Sequence, residues 1–216
     1  MGNVQKTEIP TYHKIEGLFK RSMDGDKKLI IGDYRNETVD YLKDMQWVHT
    51  IKVDGMNIRV HWDGHNVTFG GRTDAAQLPA DLVQRLEGLF KTPEAEEIFE
   101  QKFGEKAVTL FGEGYGGKIQ GGGNYRKDPD FIMFDVLIDG LYLKREAVCD
   151  IAAAFGVDVV PVALTGTIED GIEYVKATEK CGIGDAVLEG LVSRPACELL
   201  DRLGNRVIVK IKKRDY

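Results

Sequence analysis

The chain has 216 residues, of which 43% are hydrophobic and 30% are charged, a composition that is ordinary for a globular protein with one good core. A formal net charge of −6 argues against a protein that coats nucleic acid by bulk charge, although a local basic groove is compatible with it. The N-terminal residues do not resemble a signal peptide, and no apolar run approaches the length of a membrane span.

The cysteines indicate a cytoplasmic protein. They are odd in number and widely spaced, and they form no C-x-x-C pair, which disfavours both a disulfide framework and a zinc site. We therefore expect reduced, buried thiols at Cys149, Cys181 and Cys197.

The first half of the chain is expected to hold a strand, a hairpin and a helical pair. The hairpin is indicated by Asp63-Gly64, a turn signal between two β-rich segments. The second helix is expected to begin at Thr92-Pro93, an N-cap followed by proline in the first turn. In order, the expected elements are a strand at 29–32, a short helix or loop at 37–45, strands within 47–72 and helices within 79–103.

The second half is expected to alternate strands with two helices, the helices ending at Gly156 and Gly182. In order, we expect strands at 107–112, 131–138 and 141–143, a helix at 144–155, a strand at 157–164, a helix at 168–181 and strands at 186–193 and 206–212. Strands outnumber helices and many are joined by hairpins, which predicts an α+β fold with mainly antiparallel sheets. No linker marks a boundary, so we expect one domain over residues 1–216.

The segment from Lys52 to Asn57 carries the first chemical signal. Lys52 follows an apolar run, and Asp54 and then Gly55, which permits a tight turn, come directly after it. We expect Lys52 at a strand end or in the short loop beyond. A lysine is a nucleophile only when neutral, and its reference pKa of about 10.4 must be lowered by burial or nearby cations. The alternative is an exposed turn.

The glycine-rich segment at 113–125 begins with an acid at a strand end. Residues 112–118 fit the first part of a phosphate-binding P-loop, but Ile119 stands where serine or threonine must reach the magnesium ion. We reject the P-loop and retain Glu113 as the informative residue.

Charged residues also interrupt the last two apolar strands. Glu189 lies in one, and Lys210 and Lys212 share a face of the other because side chains alternate along a strand. Buried and unpaired, these charges would cost several kcal/mol. Either their faces are exposed or they line a polar pocket for a charged ligand. Lysines and an arginine suit a triphosphate, and acids suit a metal.

Taken together, these motifs resemble the covalent nucleotidyltransferase superfamily of ATP-dependent ligases and mRNA capping enzymes. In order, the motifs are K-x-(D/H)-G at Lys52 to Gly55, G-E at Gly112-Glu113, F-D at Phe134-Asp135, E-G-x-V at Glu189 to Val192 and K-x-K at Lys210 to Lys212.

Within the superfamily the chain most resembles the RNA-ligase-2-like branch. DNA ligases and capping enzymes usually carry arginine where Asn57 stands, and Arg72, 20 residues after Lys52, matches an arginine of that branch. Asp54 departs from the branch's frequent histidine and agrees with DNA ligases, which leaves the choice between RNA and DNA open.

The resemblance implies an adenylation domain of antiparallel sheets flanked by helices, with the ATP site between them. It implies a polynucleotide ligase that joins 3′-OH and 5′-phosphate ends, RNA favoured, through a lysyl-AMP on Lys52 and an adenylylated 5′-phosphate strand. Such enzymes usually continue into a second domain that grips the substrate, and we expect none after Lys212. A separate end-processing or substrate-binding protein is then an expected partner.

The resemblance also assigns roles to residues. Arg72, Lys210 and Lys212 would place positive charge around the α-phosphate and lower the pKa of Lys52. Asp54, Glu113 and Glu189 would hold Mg²⁺, with Mn²⁺ as a substitute. The other implied contacts are Ile51 to the nucleotide, Glu113 to the ribose, Phe134 to the adenine, and Asn57 to phosphate or the metal's water shell.

Two other readings stay open. One is a DNA ligase adenylation domain or a capping guanylyltransferase, and the other is a nucleotide-binding module that has lost its chemistry. The basic segments 118–127 and 212–214 are either nucleic-acid contacts or ordinary surface. His61 and His65 receive no role.

Overall fold

A computed structural model describes residues 9–23 and 25–216. The chain divides into two compact units. Of the described residues, unit one contains 9–13 and 54–159, and unit two contains 14–23, 25–53 and 160–216. The expectation of a single nucleotidyltransferase domain over residues 1–216 stays a prediction.

The strands of the described residues alternate with five helices. The strands, in chain order, are β1 (Glu16–Gly17), β2 (Phe19–Arg21), β3 (Leu29–Tyr34), β4 (Trp47–Ile51), β5 (Met56–Trp62), β6 (Val67–Gly70), β7 (Val108–Tyr115), β8 (Asp130–Ile138), β9 (Leu141–Tyr142), β10 (Asp158–Val159), β11 (Val162–Gly166), β12 (Gly190–Pro195) and β13 (Val209–Lys212). The helices are α1 (Glu37–Leu42), α2 (Ala80–Phe90), α3 (Pro93–Phe103), α4 (Arg145–Ala154) and α5 (Ile168–Ala177).

Unit one is a sheet in the order β10-β8-β7-β5-β6, with β9 paired to β8. All its pairings are antiparallel except β10 with β8. Its core joins the apolar face of β5 to α2 and α3, where the rings of Trp62 and Phe99 stack with centroids 5.2 Å apart. Full burial of side chains of this size stabilises the fold by about 1.5–3 kcal/mol each. The sheet is therefore a rigid support for the ends of β5 and β7.

Unit two is built on a second sheet, in the order β1-β13-β12-β4-β11. Only β1 and β13 run parallel. Helix α5 packs on β11, β12 and β13, and Trp47, Leu191 and Ile211 are almost completely buried. A small hairpin, β2–β3, completes the unit.

The predicted α+β class with mainly antiparallel sheets is confirmed, and so are the helical pair and the hairpin around Asp63-Gly64, which β5 and β6 form. The first strand within 47–72, β4, belongs to the other sheet. Thr92 caps α3 by accepting a hydrogen bond from the Ala95 amide at 3.2 Å. The predicted strand at 157–164 is wrong in the middle, because it breaks at Val160-Pro161 into β10 and β11. Proline has no amide hydrogen for a ladder. Residues 16–21 form β1 and β2, which the polar sequence did not predict.

Two other predicted boundaries are wrong. Glu189 precedes β12 instead of lying inside the strand. Helix α5 ends at Ala177, so Gly182 does not terminate it. The helix end is closed by a distant side chain, since Lys213 Nζ donates to the carbonyls of Val175 at 3.3 Å and Thr178 at 2.8 Å. Cations near helix C-termini satisfy the last carbonyls in this way.

All three cysteines are free. The prediction that all are buried is wrong, because Cys197 is exposed and Cys149 is partly exposed, while Cys181 is buried. Among the described residues, no helix combines the length and apolarity needed to cross a membrane.

The Lys213 contacts give a stability prediction. Lys213→Ala removes a half-buried cation from two helix carbonyls, so we expect the free energy of unfolding to fall by about 1–3 kcal/mol in denaturant titrations. The control is Lys180→Ala, which breaks only an exposed ion pair with Asp185 and should change it by less than about 1 kcal/mol. Equal effects of the two substitutions would contradict the capping role.

Candidate active site

Three strand ends meet at one edge of the unit-two sheet. Strand β12 is antiparallel to both β4 and β13, so its start lies beside the ends of its neighbours. Lys52 directly follows β4, Glu189 directly precedes β12, and Lys212 is the last residue of β13. The topology thus brings together charges that lie far apart in the sequence.

The carboxylate of Glu189 is shared by two lysines. Lys52 Nζ donates to Glu189 Oε2 at 2.5 Å, and Lys212 Nζ donates to Oε1 at 2.9 Å. All three side chains are about one-fifth exposed, at 23%, 19% and 21% for Lys52, Lys212 and Glu189. For Glu189 and Lys212 this arrangement answers the question raised by the charges in the apolar strands: the two side chains are paired and mostly buried.

The backbone fixes the same residues. The Lys52 amide donates to the Gly190 carbonyl, and the Lys213 amide donates to the Glu189 carbonyl, both at 2.9 Å. Gly190 has φ +151°, and an added Cβ would lie 2.1 Å from the Ile211 carbonyl oxygen. A glycine is required here, which explains why the acid is followed by one.

The surroundings at this edge of the sheet lower the pKa values of both Glu189 and Lys210. Burial acts to raise the pKa of Glu189, but the charges and hydrogen bonds of Lys52 and Lys212 outweigh it and hold the pKa below its ordinary value. Burial, and then repulsion from Lys212 and Lys52, lowers the pKa of Lys210, against the opposing attraction of Glu16. Three lysines around one glutamate leave an excess of positive charge, which suits a phosphate group.

Unit one gathers a second set of polar groups on β5 and β7. Asn57 on β5 lies directly opposite Glu113 on β7. The residue before β5 comes very close to β7, because an added Cβ at Gly55 would lie 2.3 Å from the Gly114 carbonyl oxygen and 2.9 Å from Glu113 Cγ. Glycine at that position is therefore a steric requirement of the strand pairing.

Two groups near the start of β5 are informative: the Asn57 side chain, which indicates a ligand, and the Asp54 amide, which is held by a distant tyrosine. Asn57 Oδ1 is buried and has no hydrogen-bond partner within the described chain. An unpaired buried acceptor costs about 1–3 kcal/mol, so a bound donor, cation or water would relieve it. The Asp54 amide donates to the Tyr125 hydroxyl at 2.9 Å. This hydrogen bond ties the Lys52-to-Gly55 motif to the glycine-rich segment at 113–125.

Phe134 is the extra residue of a β-bulge. In the β7–β8 ladder, Phe111 pairs with Asp135 and Gly112 pairs with Met133, so Phe134 has no opposite residue on β7. It is half-buried within a strand whose centre is otherwise buried. Bulges redirect side chains, and this one frees the Phe134 ring from the regular alternation.

An N-terminal tyrosine lies against the bulge. The Tyr12 ring packs edge-on to Phe134 with centroids 5.0 Å apart, and its hydroxyl donates to Asp135 Oδ2 at 2.5 Å. Tyr12 thus contacts the side chains of both residues of the Phe134-Asp135 motif.

Arg72 lies in the exposed loop after β6. The loop is held by Arg59 on β5, which has no exposed surface and donates to the Gly71 carbonyl and to Asp74. Ile51 is buried in β4 opposite Leu191. The roles of Ile51 and Arg72 stay predictions.

The structure distributes the predicted site residues over both units. Unit two holds Ile51, Lys52, Glu189, Lys210 and Lys212, and unit one holds Asp54, Asn57, Arg72, Glu113 and Phe134. No three His, Cys, Asp or Glu side chains of the described ranges are grouped so that they could hold a metal ion. The assignment of Asp54, Glu113 and Glu189 to a metal therefore stays a prediction. His61 is buried and His65 is exposed.

Sequence reasoning missed three residues of the site's surroundings: Tyr12, Arg59 and Tyr125. Arg59 alternates with apolar residues in β5, as an exposed residue of a half-buried strand does, so the sequence pattern did not single it out. The hydroxyl contacts of the two tyrosines connect segments far apart in the chain, and no local pattern predicts them.

Comparison with known families identifies the class of protein, a nucleotidyltransferase of the RNA ligase type. The family model described as RNA ligase matches residues 45–212. The chain therefore belongs to the RNA ligase family, as its motifs indicated. No curated protein matches it.

Solved structures of Naegleria gruberi RNA ligase share the fold. A lysine-to-methionine variant with AMP and Mn gives a TM-score of 0.62 at 20% identity, covering 83% of this chain and 53% of that one. An arginine-to-alanine variant with ATP and Mn gives 0.65 at 19% identity, with coverage of 94% and 56%. The enzyme with PPi gives 0.63 at 20% identity, with coverage of 97% and 62%. The chain thus spans between half and two-thirds of the length of these relatives.

The depressed pKa of Glu189 predicts a pH-dependent contribution to stability. Because the folded pKa lies below the unfolded value of 4.5, the stabilisation is present above pH 4.5 and is lost as the pH falls through the folded pKa. We expect Glu189→Gln to lower the free energy of unfolding by about 1–3 kcal/mol at pH 7, and the difference from wild type to shrink as the solution is acidified below pH 4.5.

The measurement is denaturant unfolding of both proteins from pH 7 to pH 3. Glu173→Gln is the control, because Glu173 pairs with Lys176 at the surface and should contribute less than about 1 kcal/mol at any pH. A Glu189→Gln deficit that persists undiminished at low pH would contradict the ion-pair explanation.

Proposed function

We propose that this chain is an ATP-dependent RNA ligase whose nucleophile is Lys52. The observation that carries the proposal is the sharing of Glu189 between Lys52 and Lys212 at a sheet edge, in a chain of the RNA ligase family. The relatives solved with ATP, AMP and PPi are consistent with adenylyl transfer.

In the first step, the neutral Lys52 amine attacks the α-phosphorus of ATP. The Nζ–P bond forms, the bond from the α-phosphorus to the bridging oxygen breaks, and pyrophosphate leaves with that electron pair. The amine proton passes to solvent. The ion pair between Lys52 and Glu189 must open for this step, because a protonated amine has no lone pair to donate.

In the second step, the 5′-phosphate oxygen of a strand attacks the same phosphorus, and AMP leaves Lys52 for the strand. In the third, a 3′-OH attacks the activated 5′-phosphate, the phosphodiester forms, and AMP departs. No oxidant or further reactant is needed, so ATP supplies the whole driving force.

The lysines and Arg72 would stabilise charge on the α-phosphate during each transfer. Lys210 and Lys212 are fixed by β13, and preorganised cations of this kind cost no reorganisation at the moment of reaction. Phe134, released by its bulge, would stack on the adenine. Glu113 would contact the ribose, and Ile51 would contact the nucleotide.

Asp54, Glu113 and Glu189 offer the hard oxygen ligands that Mg²⁺ requires, and Mn²⁺ would substitute. Asn57 Oδ1, buried without a partner among the described residues, fits a contact to the metal's water shell or to phosphate. When bound, such a cation would neutralise charge on the phosphates. Mg²⁺ retains several waters, so carboxylates can hold it without forming a tight cluster.

RNA is the proposed substrate because the family model and Asn57 both favour RNA ligases over DNA ligases. The substrate ends would be a 5′-phosphate and a 3′-OH. The basic segments 118–127 and 212–214 are the proposed contacts to the strand. We also propose a cytoplasmic setting and a separate end-processing or substrate-binding partner.

The first test is intact-mass spectrometry after incubation with ATP and Mg²⁺. We expect wild-type protein to gain one AMP that added pyrophosphate removes, and Lys52→Ala to gain none while unfolding at a similar temperature. Lys20→Ala, which loses only an exposed ion pair, is the matched control and should label like wild type. AMP retained on Lys52→Ala would overturn the assignment of the nucleophile.

The second test separates the two nucleic acids. Nicked duplexes with an RNA or a DNA 3′-OH strand are offered to the labelled protein, and sealing is followed on gels. RNA-dependent sealing is expected. Preferential sealing of DNA ends would favour the DNA ligase alternative, and absence of any adduct with ATP, GTP or NAD would favour a nucleotide-binding module.

A further inference from the structure

Arg59 is a fully buried cation on β5. Its guanidinium donates three hydrogen bonds: Nε to the Gly71 carbonyl at 2.6 Å, Nη1 to the Ile9 carbonyl at 2.8 Å and Nη2 to Asp74 Oδ1 at 2.7 Å. All of these residues belong to unit one. The guanidinium therefore joins strand β5 to an N-terminal segment and to the loop after β6.

The loop lies directly on the guanidinium. Gly70 pairs with Arg59 in the β5–β6 ladder, and an added Cβ at Gly70 would lie 2.9 Å from Arg59 Nη2. Gly71 is buried, and an added Cβ there would lie 2.6 Å from the Ala76 Cβ. Gly70 thus permits the close approach to the guanidinium, and Gly71 permits the loop to fold closely onto Ala76.

The contacts of Arg59 flank Arg72. One fixes the carbonyl of the residue before it, and another fixes the side chain of the residue two positions after it. Only Arg72 and Thr73 lie between these points, so the direction in which Arg72 leaves the loop is strongly restricted. Arg72 itself is exposed.

The carboxylate partner is placed poorly for stability alone. The Asp74 side chain is 71% exposed, whereas the Arg59 side chain has none of its surface in water. Burying a guanidinium against one solvated carboxylate and two carbonyls is costly compared with an apolar residue in the same strand. The planar guanidinium can, however, donate hydrogen bonds to several acceptors in a fixed geometry, which a lysine ammonium cannot do.

We propose that Arg59 and Asp74 are positioning residues that set the place of Arg72 for adenylyl transfer. The inference rests on the role of Arg72 in the proposed function. Arg59 contacts neither the nucleotide nor the reacting atoms in this scheme. It acts through the loop of residues 70–74, and Asp74 acts through Arg59.

The experiment is a cycle of three variants: Asp74→Ala, Arg72→Ala and the double variant. Asp74 is exposed, so its replacement should leave the fold intact. We expect Asp74→Ala to slow lysyl-AMP formation about threefold to thirtyfold, mainly through a higher KM for ATP, and to have no further effect when Arg72 is already alanine. Asp139→Ala, which breaks an exposed ion pair in the same unit, should behave like wild type.

A second readout does not depend on activity. Trypsin cleaves after arginine where the backbone can leave its native conformation. We expect cleavage after Arg72 to be faster in Asp74→Ala than in wild type and in Asp139→Ala. Arg59→Lys keeps the charge but loses the planar fork of the guanidinium. We expect trypsin to cleave this variant after Arg72 as fast as it cleaves Asp74→Ala, and we expect the two variants to form lysyl-AMP at similar rates.

The outcomes are distinguishable. If Arg72→Ala labels like wild type, the role of Arg72 in the proposed function is wrong, and the positioning role falls with it. If Arg72→Ala is impaired but Asp74→Ala is not, or if the two losses add in the double variant, only the positioning inference is overturned. Should wild type form no adduct, the proposed function fails, and unchanged cleavage after Arg72 in Asp74→Ala would overturn the loop restraint separately.

Discussion

The sharing of one carboxylate by two lysines is the interaction on which the site in unit two depends. Glu189 sits where β12 starts, and its backbone and side chain contact the ends of both neighbouring strands. Without a carboxylate at this point, Lys52, Lys210 and Lys212 would repel one another in a mostly buried setting. The strand order brings the residues together, and Gly190 allows the close backbone approach that keeps them there.

In unit one, close steric fit holds the polar side chains in place. Gly55 admits the passing strand β7, which sets Asn57 opposite Glu113, and Tyr125 holds the Asp54 amide. The sheet behind these residues is packed against α2 and α3, so small movements of the polar groups would disturb a dense core. Asn57 and Glu113 are thereby kept on rigid strands instead of flexible loops, an arrangement that suits the ligand contacts proposed for them.

Much of this could be predicted from the sequence, and the exceptions have physical reasons. The alternation of apolar and polar residues in β5 is typical of a strand with one exposed face, but here the polar face is also covered, and Arg59 and His61 are buried there. The bulge at Phe134 falls inside β8, where Asp135 is the one polar residue of the apolar run 131–138, and no residue of that run marks it as a bulge. Glu189 was expected inside a strand because the apolar pattern continues past it, whereas Gly190 at φ +151° starts the strand one residue later. Motif order, which depends on residue identity alone, was the more reliable guide.

The resting ion pair also constrains how Lys52 can work. Lys52 Nζ donates to Glu189, yet the proposed attack on ATP would require a neutral amine with a free lone pair. A carboxylate whose two oxygens each accept a hydrogen bond from a lysine would bind a metal–nucleotide complex more weakly than a free carboxylate would. Lys212, on the other carboxylate oxygen, can keep Glu189 in place when Lys52 is released. In the proposed mechanism, the second lysine would let one side of the ion pair open for chemistry while the other side preserves the sheet edge, which would be a reason for two lysines at this glutamate.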